Sequence, residues 1–312
     1  MVMRALVLGG GGPVGIAWES GLIAGLERGG VRLADAECIV GTSAGSVVGA
    51  QLALGASGSD LAAVQRQQFA RDPKSGAQRP AGTSDSERGG VAAKTRPAAP
   101  DLSALMALFA ARPVAPEDAV QRQWRQQVGK FARAAQTISP EAFIASFGRV
   151  ADAAWPERDY RCTAIDAASG EFRVWSATDG VTLGAAVASS CAVPGIYPCI
   201  PIGGRHWYDG GLRSATNADV LLTGASGVPP DMVVVISVMP PAALAAAGSP
   251  NPLDAEISAL RAAGAQVTLI VADARSRVAF GPNLMDARRR PGALDAGEAQ
   301  GEAMATQLRA SW

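Results

Sequence analysis

Hydrophobic positions are most regular near the N-terminus. Ala5 to Leu8 form a short apolar run that stops at four glycines, Gly9 to Gly12, the pattern of a buried strand ending in a loop. Between Gly15 and Arg28, Trp18, Leu22, Ile23 and Leu26 recur at helical spacing, and Gly29-Gly30 predicts the stop, because glycine readily takes the left-handed conformation that closes helices. Cys38-Ile39-Val40 predicts a second short strand, followed at once by Gly41 to Gly45 and a helical stretch through Leu54. Strand, helix, strand, helix with short connections predicts a mainly parallel sheet covered by helices.

The pattern lapses over residues 72–101, where Gly, Pro, Ser, Thr and charge replace apolar periodicity, and this segment is expected to be a flexible surface insertion. Residues 102–148 are mostly helical in pattern. Leu102, Leu105, Met106, Leu108 and Phe109 make an apolar face, read as an ordinary core face, with a lid or interfacial helix as the other reading. Strand-like runs return at Arg161 to Ile165, Glu171 to Trp175, Met232 to Val238 and Val267 to Val271, ahead of helical or irregular C-terminal sequence. No internal repeat is seen.

Composition narrows the function. The 28 Lys plus Arg balance 28 Asp plus Glu, so the net charge is zero, and a nucleic-acid partner, which requires a basic face, is not expected. No run approaches the roughly 18 apolar residues that a spanning helix needs. The N-terminal apolar run is too short for a signal peptide. The expected location is cytoplasmic, compatible with peripheral contact at the inner face of the membrane. The cysteines Cys38, Cys162, Cys191 and Cys199 form no C-x-x-C pair and read as reduced, buried residues. A single histidine, His206, rules out metal sites built on several imidazoles.

Two glycine-containing motifs carry candidate chemistry. Gly41-Thr42-Ser43-Ala44-Gly45 fits G-x-S-x-G between a strand and a helix, where a sharp turn presents a serine nucleophile beside a helix N-terminus. Gly10 to Gly15 also fits G-x-G-x-x-G. One reading is a dinucleotide or phosphate loop, although the second strand does not end in the acidic residue that a ribose would want. The other makes the backbone N–H groups of this loop an oxyanion hole. A serine nucleophile also needs a base. His206 lies three residues before Asp209, so on a strand their side chains point to opposite faces and cannot readily serve one triad. Asp209, at a strand end before Gly210-Gly211, is placed to reach Ser43 directly. Asp166, Asp219 and Asp273 rank below it, since none precedes a Gly-Gly pair.

Taken together, these motifs resemble the patatin-like phospholipases. That family's pattern is G-G-G-x-R/K-G, G-x-S-x-G, A-S-x-A-x-P and D-G-G or D-G-A. Here it is matched in order by Gly10 to Gly15, Gly41 to Gly45, Ala188-Ser189-Ser190-Cys191-Ala192-Val193-Pro194, and Asp209-Gly210-Gly211, over about residues 5 to 220. The resemblance implies one three-layer α/β/α domain over residues 1–312, with a helical cap from residues 102–148. It also implies a Ser43–Asp209 dyad, an oxyanion hole around Gly10, Gly11 and Gly12, and supporting roles for Gly15, Gly41, Gly45, Gly210 and Gly211. The implied activity is acyl-ester hydrolysis of a lipid or lipid-like ester, with no metal or organic cofactor. The alternatives are a dinucleotide- or phosphate-binding protein using Gly10–Gly15 and a catalytically silent lipid-binding member. One departure stands out. The family's Arg or Lys before the last glycine of the loop is Val14 here, which removes a cation that would meet a phosphate. The run Arg288-Arg289-Arg290 reads as a solvated helix end, with anionic headgroups as its functional alternative.

Overall fold

The computed structural model describes residues 2–71, 107, 108, 110–113, 118–223, 229–239, 252–309 and 312. The expected insertion at residues 72–101 lies outside these, as does the Leu102–Phe109 face apart from Leu108, whose carbonyl accepts from Trp124 Nε1 at 2.9 Å.

Among the described residues the chain forms β1 (Arg4–Leu8), α1 (Gly12–Arg28), β2 (Cys38–Gly41), α2 (Ala44–Ala53) and α3 (Gly58–Arg71). Next come α4 (Asp118–Ala134), α5 (Pro140–Ala145), α6 (Arg149–Asp152), β3 (Asp159–Asp166), β4 (Phe172–Trp175) and α7 (Leu183–Ser190). The remainder is β5 (Ile200–Ile202), β6 (Arg205–Asp209), β7 (Met232–Ser237), α8 (Pro252–Ala262), β8 (Gln266–Val271), α9 (Ala274–Phe280) and α10 (Arg290–Arg309). One sheet runs β5-β6-β3-β2-β1-β7-β8, with β4 also on β3. Pairing is parallel from β3 through β2, β1 and β7 to β8, and antiparallel where β4, β5 and β6 join.

The strand period of two divides the core between the two faces of this sheet. Leu6 and Leu8 of β1 join Trp18, Leu22 and Leu26 of α1 on one side. Ala5 and Val7 join Leu253, Ile257 and Leu260 of α8 on the other. The result is a three-layer α/β/α arrangement with a mainly parallel sheet. The described part of the expected cap belongs to the first of these layers, because Trp124, Val128 and Phe143 pack into the same cluster as Leu6 and Leu8. All four cysteines are buried and free.

The C-terminal helix was only loosely legible in the sequence, and its packing explains why. It lies against α1 through small residues: a β-carbon on Gly25 would stand 2.2 Å from the Glu298 carbonyl oxygen, and one on Gly301 2.3 Å from that of Leu22. The helices meet backbone to backbone, so α10 carries little of the apolar stripe by which amphipathic helices are recognised.

Glu19 of α1 is fully buried, and neither carboxyl oxygen has a well-formed hydrogen bond among the described residues. Burial raises its pKa well above the ordinary 4.5, opposed only by the nearby Gly9 amide. The native state therefore holds this proton more tightly than the unfolded chain. The stability so contributed is complete below the ordinary value and is lost as pH rises towards the raised one. Glu19→Gln should flatten the fall of Tm with pH over that window; melting curves of equal slope for the two proteins would sink the assignment.

Candidate active site

Strand pairing decides which residues meet. Gly41 of β2 pairs with Cys162, and Asp209 of β6 pairs with Ala164. Both of these β3 residues also pair with β4, Cys162 with Trp175 and Ala164 with Arg173. A strand has only two edges, so β2 and β6 share the edge of β3 opposite β4. They approach head to head along it, and the ends carrying Gly41 and Asp209 stop two positions apart on β3, about 6.6 Å at ~3.3 Å per residue.

Ser43 lies just past the end of β2 at φ 52° and ψ −117°, a region that residues with a β-carbon rarely occupy. Its neighbours hold it there. The Ser43 N–H donates to Ser190 Oγ at 2.9 Å, and its carbonyl accepts from Ser46 Oγ at 2.7 Å and from Cys191 Sγ at 3.1 Å. The flanking glycines are demanded by close approach, since a β-carbon on Gly45 would stand 2.1 Å from the Leu8 carbonyl oxygen and one on Gly41 2.5 Å from Ser46 Cα. Ser190 and Cys191 thus hold the Ser43 backbone, a role that the small-residue motif did not reveal by itself.

Asp209 is 3% exposed, and burial pushes its carboxyl up to about 7. The Ser43 side chain and the Gly211 N–H, which donates to Oδ1 at 2.7 Å, favour the charged form and limit that rise. Gly210 is packed under Thr163, whose Oγ1 a β-carbon would approach to 2.3 Å. A buried residue that sequence reasoning missed joins the two motifs. Asn217, at φ 50°, donates through Nδ2 to the Ser214 carbonyl at 2.7 Å and to Thr42 Oγ1 at 3.1 Å, and Thr42 Oγ1 lies 3.0 Å from Thr163 Oγ1. Its only sequence signal is that asparagine tolerates positive φ.

The glycine loop lies at the adjoining end of β1. The Gly10 N–H donates to the Ala215 carbonyl at 2.7 Å, so this member of the expected oxyanion set is already engaged within the fold. The N–H groups of Gly11 and Gly12, and that of Ala44 at the start of α2, have no acceptor among the described residues. Gly15 packs against Val238 and Ala44, whose nearest side-chain atoms a β-carbon would meet at 3.2 and 3.4 Å. A C-terminal segment closes over the loop: the Leu284 carbonyl accepts from the Val14 N–H at 3.2 Å, and a β-carbon on Gly12 would stand 2.8 Å from Met285 Sδ. That carbonyl occupies the start of α1, where a dinucleotide loop would seat its pyrophosphate, and the dinucleotide reading is therefore set aside.

Ser43 opens into a cleft of about 390 Å³, walled on its apolar side by Ile16, Val47, Phe143, Val193, Tyr197 and Met285. Phe143 and Tyr197 stack with ring centroids 4.4 Å apart. A larger cleft of about 550 Å³ lies on Arg122, Arg125, Arg173 and Arg205 and lacks both Ser43 and Asp209. Each of its arginines is bonded to a carboxylate, from Asp118, Asp179, Asp166 or Glu171. His206 is exposed on β6 opposite Pro201 and does not line the Ser43 cleft. The other candidate acids serve the fold: Asp166 pairs with Arg205, Asp219 with Arg213, and Asp273 caps α9 by accepting from the Ser276 N–H at 2.7 Å.

A family model described as patatin-like phospholipase matches residues 6–222. No curated protein matches the sequence. Among solved structures, VipD from Legionella pneumophila aligns with a TM-score of 0.44 at 13% identity, over 98% of this chain and 67% of its own. The type III effector protein ExoU aligns with a TM-score of 0.39 at 15% identity, over 98% of this chain and 53% of its own. The chain thus spans about half the length of the second.

Proposed function

The chain belongs to the patatin-like phospholipase family, whose model covers residues 6–222, and on that premise we propose that it is a serine acyl hydrolase of lipid esters working through a Ser43–Asp209 dyad. The observation that carries this reading is the pairing of a strained Ser43 with a buried carboxyl whose pKa is pushed up to about 7. A general base works best when its pKa lies near the operating pH.

In the proposed reaction Asp209 takes the Ser43 hydroxyl proton as Oγ bonds to the ester carbonyl carbon. The negative charge of the tetrahedral intermediate is received by the N–H groups of Gly11 and Gly12, where loss of one donor typically costs ~10²- to 10³-fold. The intermediate collapses with cleavage of the C–O bond, and Asp209 returns the proton to the departing alkoxide. Water, giving a proton to Asp209, then bonds to the acyl carbon; the bond from that carbon to Ser43 Oγ breaks, Asp209 returns the proton to Oγ, and the free acid leaves. The acyl chain lies along Phe143, Val193 and Met285. The reading is tested by incubating the protein with a fluorophosphonate probe and with p-nitrophenyl esters of graded chain length. Covalent labelling with turnover is expected; neither labelling nor hydrolysis at any length would overturn it.

This dyad has no use for an imidazole. His206→Ala should leave ester turnover within about twofold of wild type, and a loss comparable to that of Asp209→Asn would reassign the base to the histidine.

A further inference from the structure

Glu256 is a buried acid that the proposed reaction does not use. It belongs to α8, outside residues 6–222, and is 5% exposed. Its Oε2 accepts from Thr216 Oγ1 at 2.6 Å and from the Ala218 N–H at 2.9 Å, while Oε1 makes no well-formed hydrogen bond among the described residues. The packing of α8 does not account for a carboxyl there. Leu253, Ile257 and Leu260 already carry the apolar contact of this helix with the sheet, and burying a polar group with one unmet oxygen costs stability that an apolar side chain would keep.

What Glu256 holds is a loop that touches every part of the site. The Ala215 carbonyl accepts from the Gly10 N–H at 2.7 Å, at the foot of the glycine loop. The Thr216 carbonyl accepts from Thr42 Oγ1 at 3.3 Å, and Asn217 Nδ2 donates to the same hydroxyl oxygen at 3.1 Å, one residue before Ser43. Asn217 Nδ2 also reaches the Gly210 carbonyl at 3.3 Å, one residue after Asp209. Residues 215–217 thus bond to the oxyanion loop, the nucleophile turn and the turn of the acid. Within the loop, Arg213 Nη1 donates to Asn217 Oδ1 at 2.8 Å, and from α8 Glu256 adds the bonds to Thr216 and Ala218. Glu256 does not line the Ser43 cleft, so it touches neither substrate nor reacting atoms.

We propose that Glu256 is a positioning residue for the reaction at Ser43: its carboxyl fixes Thr216 and Ala218, and through the loop between Arg213 and Ala218 it sets the glycine-loop amides, Ser43 and Asp209 in register with one another. The proposal rests on the serine-hydrolase reading and adds to it a residue from the far layer of the sheet. Oxyanion donors are effective only when held at the place where charge develops, so a brace of this kind acts on the rate of the chemical step rather than on binding in the apolar cleft.

The test compares wild type with Glu256→Ala, Glu256→Gln and Thr216→Val in p-nitrophenyl octanoate turnover, in melting temperature and in amide hydrogen exchange followed by NMR. Glu256→Ala should lower kcat about tenfold or more with KM within about twofold, since a displacement of ~1 Å at the reacting groups can cost ~10²-fold. Its Gly10 amide should exchange faster, while that of Val14, bonded to the Leu284 carbonyl, should be unchanged. Glu256→Gln keeps an oxygen for Thr216 and Ala218 and should restore both kcat and Gly10 protection. A wild-type kcat in Glu256→Ala would overturn the proposal, as would a loss that Glu256→Gln does not restore or one that falls on KM. Should Glu256→Ala melt early, Thr216→Val decides, because it removes the donor hydroxyl with little change of shape: a severalfold lower kcat at unchanged melting temperature supports the proposal and a wild-type kcat refutes it. Absent fluorophosphonate labelling of wild type is the separate sign that the hydrolase reading fails. Gly10 exchange still reports whether Glu256 holds the loop, and equal rates in wild type and Glu256→Ala would show that it does not.

Discussion

Ser43→Ala is expected to abolish fluorophosphonate labelling and to lower kcat/KM for p-nitrophenyl esters by on the order of 10⁴-fold or more, because the Oγ that carries the acyl group is gone. The fold should survive the change. Alanine carries the same β-carbon at φ 52°, so the backbone strain is neither added nor relieved, and the hydrogen bonds of the Ser43 N–H and carbonyl are made by backbone atoms. A circular-dichroism melt matching wild type would place the loss in chemistry. Retained labelling of the alanine variant would move the nucleophile elsewhere, and Ser190, whose Oγ accepts from the Ser43 N–H at 2.9 Å, would be the first residue to test.

Asp209→Asn should lower kcat/KM by about 10³-fold, within the range typical of removing a general base. The pH profile separates loss of a base from loss of shape. A base acts only when deprotonated, so wild-type kcat/KM should climb as pH rises through about 7 and then level off, while the asparagine variant should lack that inflection. Its stability should not suffer. Asparagine can keep the contact with the Gly211 N–H, and it removes a carboxyl whose ionised form the buried site disfavours. Above about pH 7 the variant should therefore melt no lower than wild type. An inflection near 7 that persists in Asp209→Asn would show that another group sets the profile.

Much of this site is legible in the chain because its constraints are local. Gly41 and Gly45 are demanded by backbone contacts around a single turn, and that turn fixes where Ser43 sits whatever else packs nearby. The strand–loop–helix pattern of Ala5 to Arg28 is local in the same way, as an apolar run and a helical period each report the burial of one element. Asp209 is a different case. Its strand is short, and its nearness to Ser43 depends on β3 pairing with β2 and β6 along one edge, which no spacing between residues 41 and 209 encodes. Asn217 is hidden for a similar reason: its bonds to Thr42 and Ser214 tie one residue close in the chain to another 175 positions away. The Gly10 amide looked equal to its neighbours in the sequence, and only the Ala215 carbonyl, brought beside it by the fold, distinguishes it.

By itself, then, the sequence determined the element types at the N-terminus and the family, and it singled out Ser43 and Asp209 as the candidate pair on which the proposed reaction rests. Such properties follow from short-range sterics and from which side chains are present at all. Tertiary structure decided the rest: which amides of the glycine loop are taken up within the fold, the direction in which burial moves the Asp209 carboxyl, and which of three adjacent arginines enters the cleft. These depend on desolvation and on contacts between distant segments, as when Leu284 and Met285 close over the glycine loop and Arg290 meets Gln65. Each exists only once the chain has folded back on itself, because burial and long-range hydrogen bonding are properties of the packed whole rather than of any one stretch.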